Sequence, residues 1–417
     1  MDYIAWIKAG LDRDPWVAYP SIAVAAVVGY ASLCSSLRFR RRDNLKAKYG
    51  FYDRESLSRM TNEQAHIITK AVGGKEFPMF YDLALRVALF KTYAIENIAK
   101  LLVASSDLNK QTQAPKRYED TAIIFASFIK FPPDSPLLHQ AVARMNFLHS
   151  PYVKSNKILN QDFLYVLWTS MAEPVRFMRL YEWRELDQME VAAIGMLWKY
   201  IGEMMEIDYK AELGKDQWKD GIEFMDDVTE WAMKYEDVAM KPLPESKQLG
   251  KVLIELLLSA YPKAAGPMAY NSILVLMGDR LRHAFSLPEP TIYDSAVTYT
   301  LLFWRKVFLR HFALPRMTQV EYVSDPDPKT GRMHNLHYLK EPWYSPVTFW
   351  SRWNPIALAT WAYGGAIPGD GGAEMMPQGF IFSDIGPKAK MGKGLDVSKD
   401  LESRVRDRAS TGCPFAV

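Results

Sequence analysis

Apolar residues recur at helical spacing along most of the chain. Positions i, i+3, i+4 and i+7 carry apolar side chains over repeated stretches, which is the pattern of an amphipathic helix. The stretches are residues 79–103, 121–130, 162–181, 190–205, 247–261 and 293–312. The breaks between them are short and rich in Pro or Asp, as in FPPDSP and KPLPES, and predict helix-to-helix turns. The pattern therefore predicts an all-α body.

One apolar run is long enough to cross a membrane. Residues 16–37 contain 22 positions without a charge, and a helix of this length spans roughly 30 Å of hydrocarbon. The segment before the run carries a net charge of −1, whereas residues 38–48 carry +5. By the positive-inside rule, the body after the run faces the cytosol. A cleaved signal peptide would have its basic residues before the run, so we expect a signal-anchor.

A second apolar segment, residues 298–314, is interrupted by Arg305, Lys306 and Arg310. These charges argue against a second span, so a core or interfacial helix is expected there. Strand signals are sparse, and the best is a possible hairpin around Gly331, where Asp-Pro and Thr-Gly steps favour turns.

The chain becomes rich in Gly and Pro after Tyr363, which predicts an irregular and partly mobile tail. The predicted organisation has four parts: a short lumenal segment at 1–15, a transmembrane signal-anchor at 16–37, a single helical domain at 38–362 and the tail at 363–417.

Composition and motifs exclude several classes of protein. Hydrophobic residues make up 49% of the chain, charged residues 24%, and the net charge is +3, so no overall field favours nucleic acid. The two cysteines, Cys34 and Cys413, form no CxxC or CxxCH, which excludes zinc knuckles and covalently attached c-type haem. Phosphate-binding glycine loops, GxSxG, HExxH and a kinase catalytic loop are also missing from the sequence.

Seven histidines remain as candidate ligands or bases. His334 and His337 lie in a polar HNLH turn and could bind a divalent metal if a carboxylate joined them. His149 stands at the end of the apolar segment AVARMNFLH, and we expect its helix to end at Ser150-Pro151, since proline disfavours helical geometry in the preceding residue. Such an imidazole would point from a rigid element towards whatever the bundle encloses.

The segment KRYEDT lies about thirty residues before His149. Its Arg117, Asp120 and Thr121 occupy positions i, i+3 and i+4, so they share one face of a helix. This face would carry a basic, an acidic and a hydroxyl group. An ordinary explanation is also open, in which Asp120 or Thr121 caps a helix and Arg117 is its solvated neighbour.

The segments KRYEDTAIIFASFI, ARMNFLHSPYVKSNKILNQDFLYVLWTSMAEPVRFMRLYEWREL and LPEP resemble the MpaB and rubber-oxygenase catalytic-domain family over roughly residues 50–320. The likeness is strongest to its fungal, endoplasmic-reticulum-bound type from mycophenolic acid biosynthesis. The latex-clearing members carry an Arg-x-x-Lys-Thr pattern a little over thirty residues before a haem-ligating histidine. Arg117, Thr121 and His149 match this order, whereas Asp120 stands in place of the lysine.

The resemblance implies a helical protein that holds one b-type haem through His149 and uses O2 to cleave a carbon–carbon double bond. Arg117, Asp120 and Thr121 are then the expected catalytic residues. Haem also needs an apolar slot and cations for its propionates, and we assign those cations provisionally to Arg144, Arg176 and Arg179.

The resemblance further implies a prenylated aromatic substrate, which would concentrate in the endoplasmic-reticulum membrane lipid beside the anchor. The expected reaction is cleavage of the farnesyl side chain of a meroterpenoid. Two alternatives stay open: a non-haem metal oxygenase that uses His149 with carboxylates such as Asp120 and Glu173, and a non-catalytic membrane scaffold of a biosynthetic pathway.

Overall fold

The structure is a computed structural model that describes residues 15–105 and 113–408. Residues 1–14 of the predicted lumenal segment and Cys413 lie outside the described residues. The described chain is mostly α-helical, as the sequence predicts, and contains isolated β-bridges but no β-strand, so the possible hairpin around Gly331 does not form strands. The helices are α1 (Pro15–Arg38), α2 (Arg40–Tyr49), α3 (Arg54–Leu57), α4 (Asn62–Ala71), α5 (Pro78–Thr92), α6 (Glu96–Ser105), α7 (Ala114–Lys130), α8 (Pro136–Lys154), α9 (Asn160–Tyr181), α10 (Gln188–Met204), α11 (Tyr209–Leu213), α12 (Gly221–Ala239), α13 (Pro244–Leu258), α14 (Gly266–Met277), α15 (Asp279–Ala284), α16 (Ile292–His311), α17 (Phe349–Trp353), α18 (Pro355–Ala362) and α19 (Leu395–Arg408).

Capping residues fix where several of these helices begin. At the start of α10, Asp187 accepts a hydrogen bond from a first-turn backbone N–H, and Glu190 accepts one from the backbone N–H of Asp187. Thr291 and Asp294 make the same reciprocal pair at the start of α16. Such pairs satisfy backbone donors that lack a partner within the helix. Five of the six helical stretches predicted from periodicity accordingly match observed helices within a few residues or lie inside a longer one.

The predicted helix over residues 79–103 is wrong, because two helices, α5 and α6, occupy this region. The chain turns at Tyr93, and Ile95 then pairs with Met240 in an isolated antiparallel bridge. Ile95 is fully buried, so an apolar side chain still faces the core although the chain changes direction at this turn. Tertiary packing thus overrides a continuous helical pattern here.

The predicted end of the His149 helix at Ser150-Pro151 is also wrong, because α8 continues through Pro151 to Lys154. Proline cannot donate to the carbonyl four residues earlier, which belongs to Phe147. The Ser150 hydroxyl donates to that carbonyl instead, with an O···O distance of 3.1 Å. His149 therefore lies inside a helix and not at its end.

The core forms where α9 packs along α5, while α10 packs against α4 and α12. Large aromatic side chains fill this region, and Trp198, Tyr165 and Phe177 are almost completely buried. Helices α7 and α8 pack against each other at one side of the core. This arrangement brings KRYEDT and His149, which lie on those two helices, to the same side of the bundle.

The tail is less irregular than the sequence predicts, because α19 is a helix of 14 residues that packs on α8. Arg144 on α8 holds the segment before α19 by donating hydrogen bonds to the carbonyls of Ile385, Lys390 and Lys393, with distances of 2.8 to 3.0 Å. The turn at Gly331 joins two segments that exchange backbone hydrogen bonds, including an isolated bridge between Val323 and Asn335.

The described residues contain one helical stretch, Tyr19–Tyr49, that is long and apolar enough to cross a membrane by length and composition. Within it, the first part of α1 is exposed, and its last turns contact the body. The Tyr30 hydroxyl donates to the Phe312 carbonyl at 3.1 Å, and Arg38 donates to the carbonyls of Ala313 and Leu314. Helix α1 is therefore docked on the body through these contacts.

A buried histidine makes the stability of the body depend on pH. The Nε2 atom of His66 lies 3.0 Å from the carbonyl of Ile129, and burial lowers the pKa of His66 from 6.5 to about 4. The native state therefore binds fewer protons than the unfolded chain, so stability falls as the pH drops from 6.5 towards 4. We expect a loss of about 2 kcal/mol between pH 7 and pH 5 from this group.

Thermal unfolding of the full chain in detergent at several pH values measures this effect. His66→Gln keeps a donor for the Ile129 carbonyl and should make the decline of the midpoint between pH 7 and 5 shallower. His283→Gln, which replaces an exposed histidine, is the matched control and should retain the decline. An unchanged slope in His66→Gln would show that another group is responsible.

Candidate active site

A large cavity lies between α6, α7, α8 and α9 and has about 1130 Å³ of empty space, counting the solvent at its mouth. Most of the wall is apolar. The apolar lining includes Ile98, Leu101, Leu102, Ile124, Phe128, Met145, Phe163 and Trp198. His149, Arg117, Asp120 and Thr121, which the sequence selects, all line this same cavity.

His149 presents an imidazole without a partner on one nitrogen. Its Nδ1 atom is buried and makes no hydrogen bond to any described residue, and the ring lies 5.5 Å from the Phe163 ring, centre to centre. Burial, together with the nearby Arg117 charge, lowers the pKa of His149 to about 4. The imidazole is therefore neutral at physiological pH, which is the form that binds a metal ion.

Arg117 and Thr121 lie one turn apart on α7 and face the same cavity. The Thr121 hydroxyl donates to the Arg117 carbonyl at 3.1 Å, so its oxygen can still accept a hydrogen bond. No described residue accepts a hydrogen bond from the Arg117 guanidinium. Since α7 begins at Ala114, both residues lie well inside the helix, and the capping explanation for Asp120 and Thr121 is wrong.

Asp120 is held by a buried hydrogen-bond network. Lys116, one turn earlier on α7, places its Nζ atom 2.9 and 3.0 Å from the two carboxylate oxygens and also donates to the Gly386 carbonyl at 2.9 Å. The Tyr344 hydroxyl donates to Oδ1 of Asp120 at 2.9 Å. Burial raises the pKa of Asp120, and the Lys116 ammonium and the Tyr344 hydroxyl oppose this change.

Sequence reasoning missed Lys116 and Tyr344. The Lys116 to Asp120 spacing of i, i+4 is a visible signal for an ion pair on one helix face. Tyr344 has no comparable signal, because it reaches Asp120 from 224 residues further along the chain. The site is thus completed by the segment that follows the main helical body.

The three arginines assigned provisionally to haem propionates are not among the described residues that line the cavity. Arg144 is bound to carbonyls of the tail, and Arg176 is paired with Glu173 at 2.7 Å. Arg179 is exposed on α9. The cation that does line the cavity is Arg117, so this placement does not support the assignment of the other three.

The described residues offer no ligand set for a non-haem metal centre. No group of three His, Cys, Asp or Glu side chains among them is close enough to hold an ion. Glu173 is bound to Lys91 and Arg176 and does not line the cavity. His334 and His337 of the HNLH turn belong to no such group among the described residues either.

A second cavity lies against the same helix, α7, and has about 920 Å³ of empty space, counting solvent at its mouth. Its lining includes Leu85, Ala122, Ala126 and Val320. Thr121 and Phe125 line both cavities. Thr121 and Phe125 therefore lie where the two cavities approach each other.

Comparison with known proteins gives consistent matches. Residues 71–308, more than half of the chain, match the family described as ER-bound oxygenase mpaB/B'/Rubber oxygenase, catalytic domain. The ER-bound oxygenase mpaB' of Penicillium brevicompactum is 36% identical over 406 residues, which cover 97% of this chain and 95% of the relative. The ER-bound oxygenase mpaB of the same organism is 34% identical and covers 90% of both chains. That of Penicillium roqueforti strain FM164 is 37% identical over 64% of this chain and 91% of the relative.

Proposed function

Because the chain belongs to the family of ER-bound oxygenases mpaB/B' and rubber oxygenases, we propose that it is a haem-dependent oxygenase that cleaves a carbon–carbon double bond. His149 is the proposed iron ligand. The observation that carries the proposal is the unpartnered, buried Nδ1 of His149 in the wall of a large apolar cavity. Such a buried polar atom is costly unless a ligand completes it.

The residues of the cavity fit a b-type haem. A neutral histidine supplies the axial nitrogen, apolar side chains suit the porphyrin, and Arg117 supplies a cation within the same space. The haem, when bound, supplies the iron chemistry that activates O2. The protein residues contribute binding, orientation and charge around it.

Each polar residue on α7 has a proposed part. Arg117 offers a positive charge that stabilises negative charge developing on oxygen, and the Thr121 oxygen accepts a hydrogen bond from a reacting group. Asp120 is a carboxylate that Lys116 and Tyr344 hold in place. Its position beside Arg117 and Thr121 allows it to accept a proton or to orient the groups around it.

Arg117→Met should lower turnover by about 100-fold or more, because removal of one preorganised donor at a charge-developing site has effects of this size. Rates are compared per bound haem, measured by absorbance in each variant, which separates this role from the part of Arg117 in cofactor binding. Arg179→Met, at the exposed arginine outside the cavity, is the matched control and should turn over at the wild-type rate. Equal rates in the two variants would remove Arg117 from the mechanism.

The proposed substrate is a prenylated aromatic compound, namely a farnesylated phthalide of the mycophenolic acid type. The relatives that bear the name ER-bound oxygenase, and the apolar helix α1, support a place in the endoplasmic-reticulum membrane. The basic residues after α1 support a single span with a cytosolic body. A substrate with a long isoprenoid chain dissolves in this bilayer and reaches the enzyme from it.

Turnover with labelled oxygen tests this reaction. The full chain, loaded with haem in detergent, is incubated with the farnesylated phthalide and ¹⁸O₂. The products are trapped, and their masses are measured by mass spectrometry. Cleavage breaks the double bond and gives two carbonyl fragments, with one oxygen atom from O2 in each. Intact substrate after incubation with stoichiometric haem protein would contradict the proposed substrate, and a single hydroxylated product would contradict cleavage.

We assign the isoprenoid chain of the substrate to the second cavity, which shares the wall residues Thr121 and Phe125 with the His149 cavity. Ala122 lines the second cavity only, so Ala122→Trp should fill it while the haem spectrum stays unchanged. We expect kcat/KM for the farnesylated substrate to fall at least about tenfold, the scale at which pocket shape discriminates between substrates. An unchanged kcat/KM with intact haem would place the chain elsewhere.

A further inference from the structure

Helix α16 carries an exposed apolar stripe along its whole length. The stripe consists of Tyr293, Val297, Leu301, Trp304, Phe308 and Phe312, which follow one another at intervals of three or four residues and therefore lie on one face. Tyr293 is 79% exposed, Trp304 63% and Phe308 57%. Soluble proteins rarely leave contiguous apolar surface of this kind open to water.

The basic residues of α16 lie off the stripe and contact the body. Arg305 donates to Glu182 at 2.7 Å, and Lys306 donates to the Leu180 carbonyl at 2.5 Å. The Arg310 guanidinium lies 5.7 Å from the centre of the Phe39 ring. The charges that argue against a second membrane span thus lie off the apolar stripe, and Arg305 and Lys306 bind another side of α16 to the body.

Contacts with α1 set the depth of α16 relative to the anchor. The Phe312 carbonyl accepts the Tyr30 hydroxyl at 3.1 Å, and His311 Nδ1 lies 2.8 Å from the Ser35 hydroxyl oxygen. Tyr30 and Ser35 belong to the uncharged run of residues 16–37. Tyr30 is seven residues from the end of that run, which is about 10 Å along a helix.

We propose that the stripe on α16 contacts phospholipid in the cytosolic leaflet and forms a second membrane contact beside α1. The proposal rests on α1 spanning the bilayer, and it is independent of haem and of the reaction. The carboxy-terminal end of α16 packs beside an apolar part of α1, so this end lies at the depth of acyl chains. Aromatic side chains such as Trp304 and Tyr293 suit the boundary between acyl chains and headgroups.

This contact would place the second cavity near the lipid. Val320, which lines that cavity, follows Phe312 by eight residues, so it lies within about 28 Å of it even in a fully extended chain. A helix that is held in the leaflet beside α1 also fixes the orientation of the body on the membrane. A substrate dissolved in the bilayer would therefore have a short path to the cavity.

Site-directed spin labelling of the full chain in phosphatidylcholine nanodiscs tests the contact. In a Cys34→Ala, Cys413→Ser background, Trp304→Cys and Phe308→Cys place labels on the stripe. Met233→Cys and Val238→Cys on α12 are matched controls, because they replace apolar residues that are 58% and 67% exposed. Circular dichroism of each variant before reconstitution verifies folding.

Power saturation then compares the accessibility of each label to O2, which partitions into lipid, and to a water-soluble nickel chelate. We expect the labels on α16 to favour O2 and the control labels to favour nickel. Labels on α16 that favour nickel as the controls do would overturn the proposal. Dipolar broadening between labels of two chains, with access to neither reagent, would assign the stripe to a second copy and would also overturn it.

Discussion

Replacing His149 by alanine is expected to abolish the Soret absorbance of the purified full chain and reduce double-bond cleavage to background. The Nδ1 atom of His149 is buried and has no partner in the described part of the chain, and the ring is neutral because burial lowers its pKa to about 4. Removal of this imidazole takes away the proposed axial nitrogen. The absorption spectrum and a pyridine haemochromogen assay measure the loss directly.

The matched control is His139→Ala on the same helix, α8. His139 is also buried, but its Nε2 atom lies 2.9 Å from the Pro133 carbonyl, and it does not line the cavity. This variant should lose some stability and keep its haem. Imidazole added to His149→Ala should restore part of the Soret band by occupying the vacated space. A folded His149→Ala variant that retains stoichiometric haem would exclude His149 as the ligand.

Lys116→Met is expected to destabilise the protein by about 3–5 kcal/mol, the usual cost of breaking a buried ion pair by removing one partner. Lys116 and Asp120 are both almost completely buried, and their atoms are within 3.0 Å. Methionine would leave the Asp120 carboxylate with Tyr344 as its described side-chain donor. The loss of the bond to the Gly386 carbonyl would also release the segment that closes this side of the site.

Urea unfolding in detergent, followed by circular dichroism, measures the change. Lys234→Met is the matched control, since Lys234 and Glu230 form an i, i+4 pair on a helix surface with both side chains over 70% exposed. Exposed pairs contribute little, so no measurable change is expected. Lys116→Met combined with Asp120→Leu should recover much of the stability, because no buried charge then remains. Equal stability of Lys116→Met and Lys234→Met would show that the buried Lys116–Asp120 pair does not contribute to the free energy of unfolding.

Local signals in the sequence account for most of the helices. Capping residues such as Asp187 and Thr291 are readable without a structure, and apolar periodicity gives the helix type. The wrong predictions arise where a tertiary contact, or a local hydrogen bond from a side chain to the backbone, determines the path of the chain. The turn at Tyr93 depends on the bridge between Ile95 and Met240, and α8 passes Pro151 because Ser150 satisfies the orphaned carbonyl.

The candidate site was predictable in part. The spacing within KRYEDT puts Arg117, Asp120 and Thr121 on one face, and the family resemblance connects that face with His149. Tyr344 could not be predicted, because its contact with Asp120 joins segments that are far apart in the chain. No sequence signal ties Arg144, Arg176 or Arg179 to a haem, and the structure directs Arg144 to the tail, where it donates to the Ile385 carbonyl.

The haem content of the wild-type protein tests the central claim most directly. The full chain, expressed with its anchor under haem-sufficient conditions and purified in detergent, is assayed by absorption spectroscopy and pyridine haemochromogen formation. The account predicts an intense Soret band and stoichiometric b-type haem. A folded, monodisperse protein that contains no haem would contradict it and would favour a non-haem enzyme or a membrane scaffold.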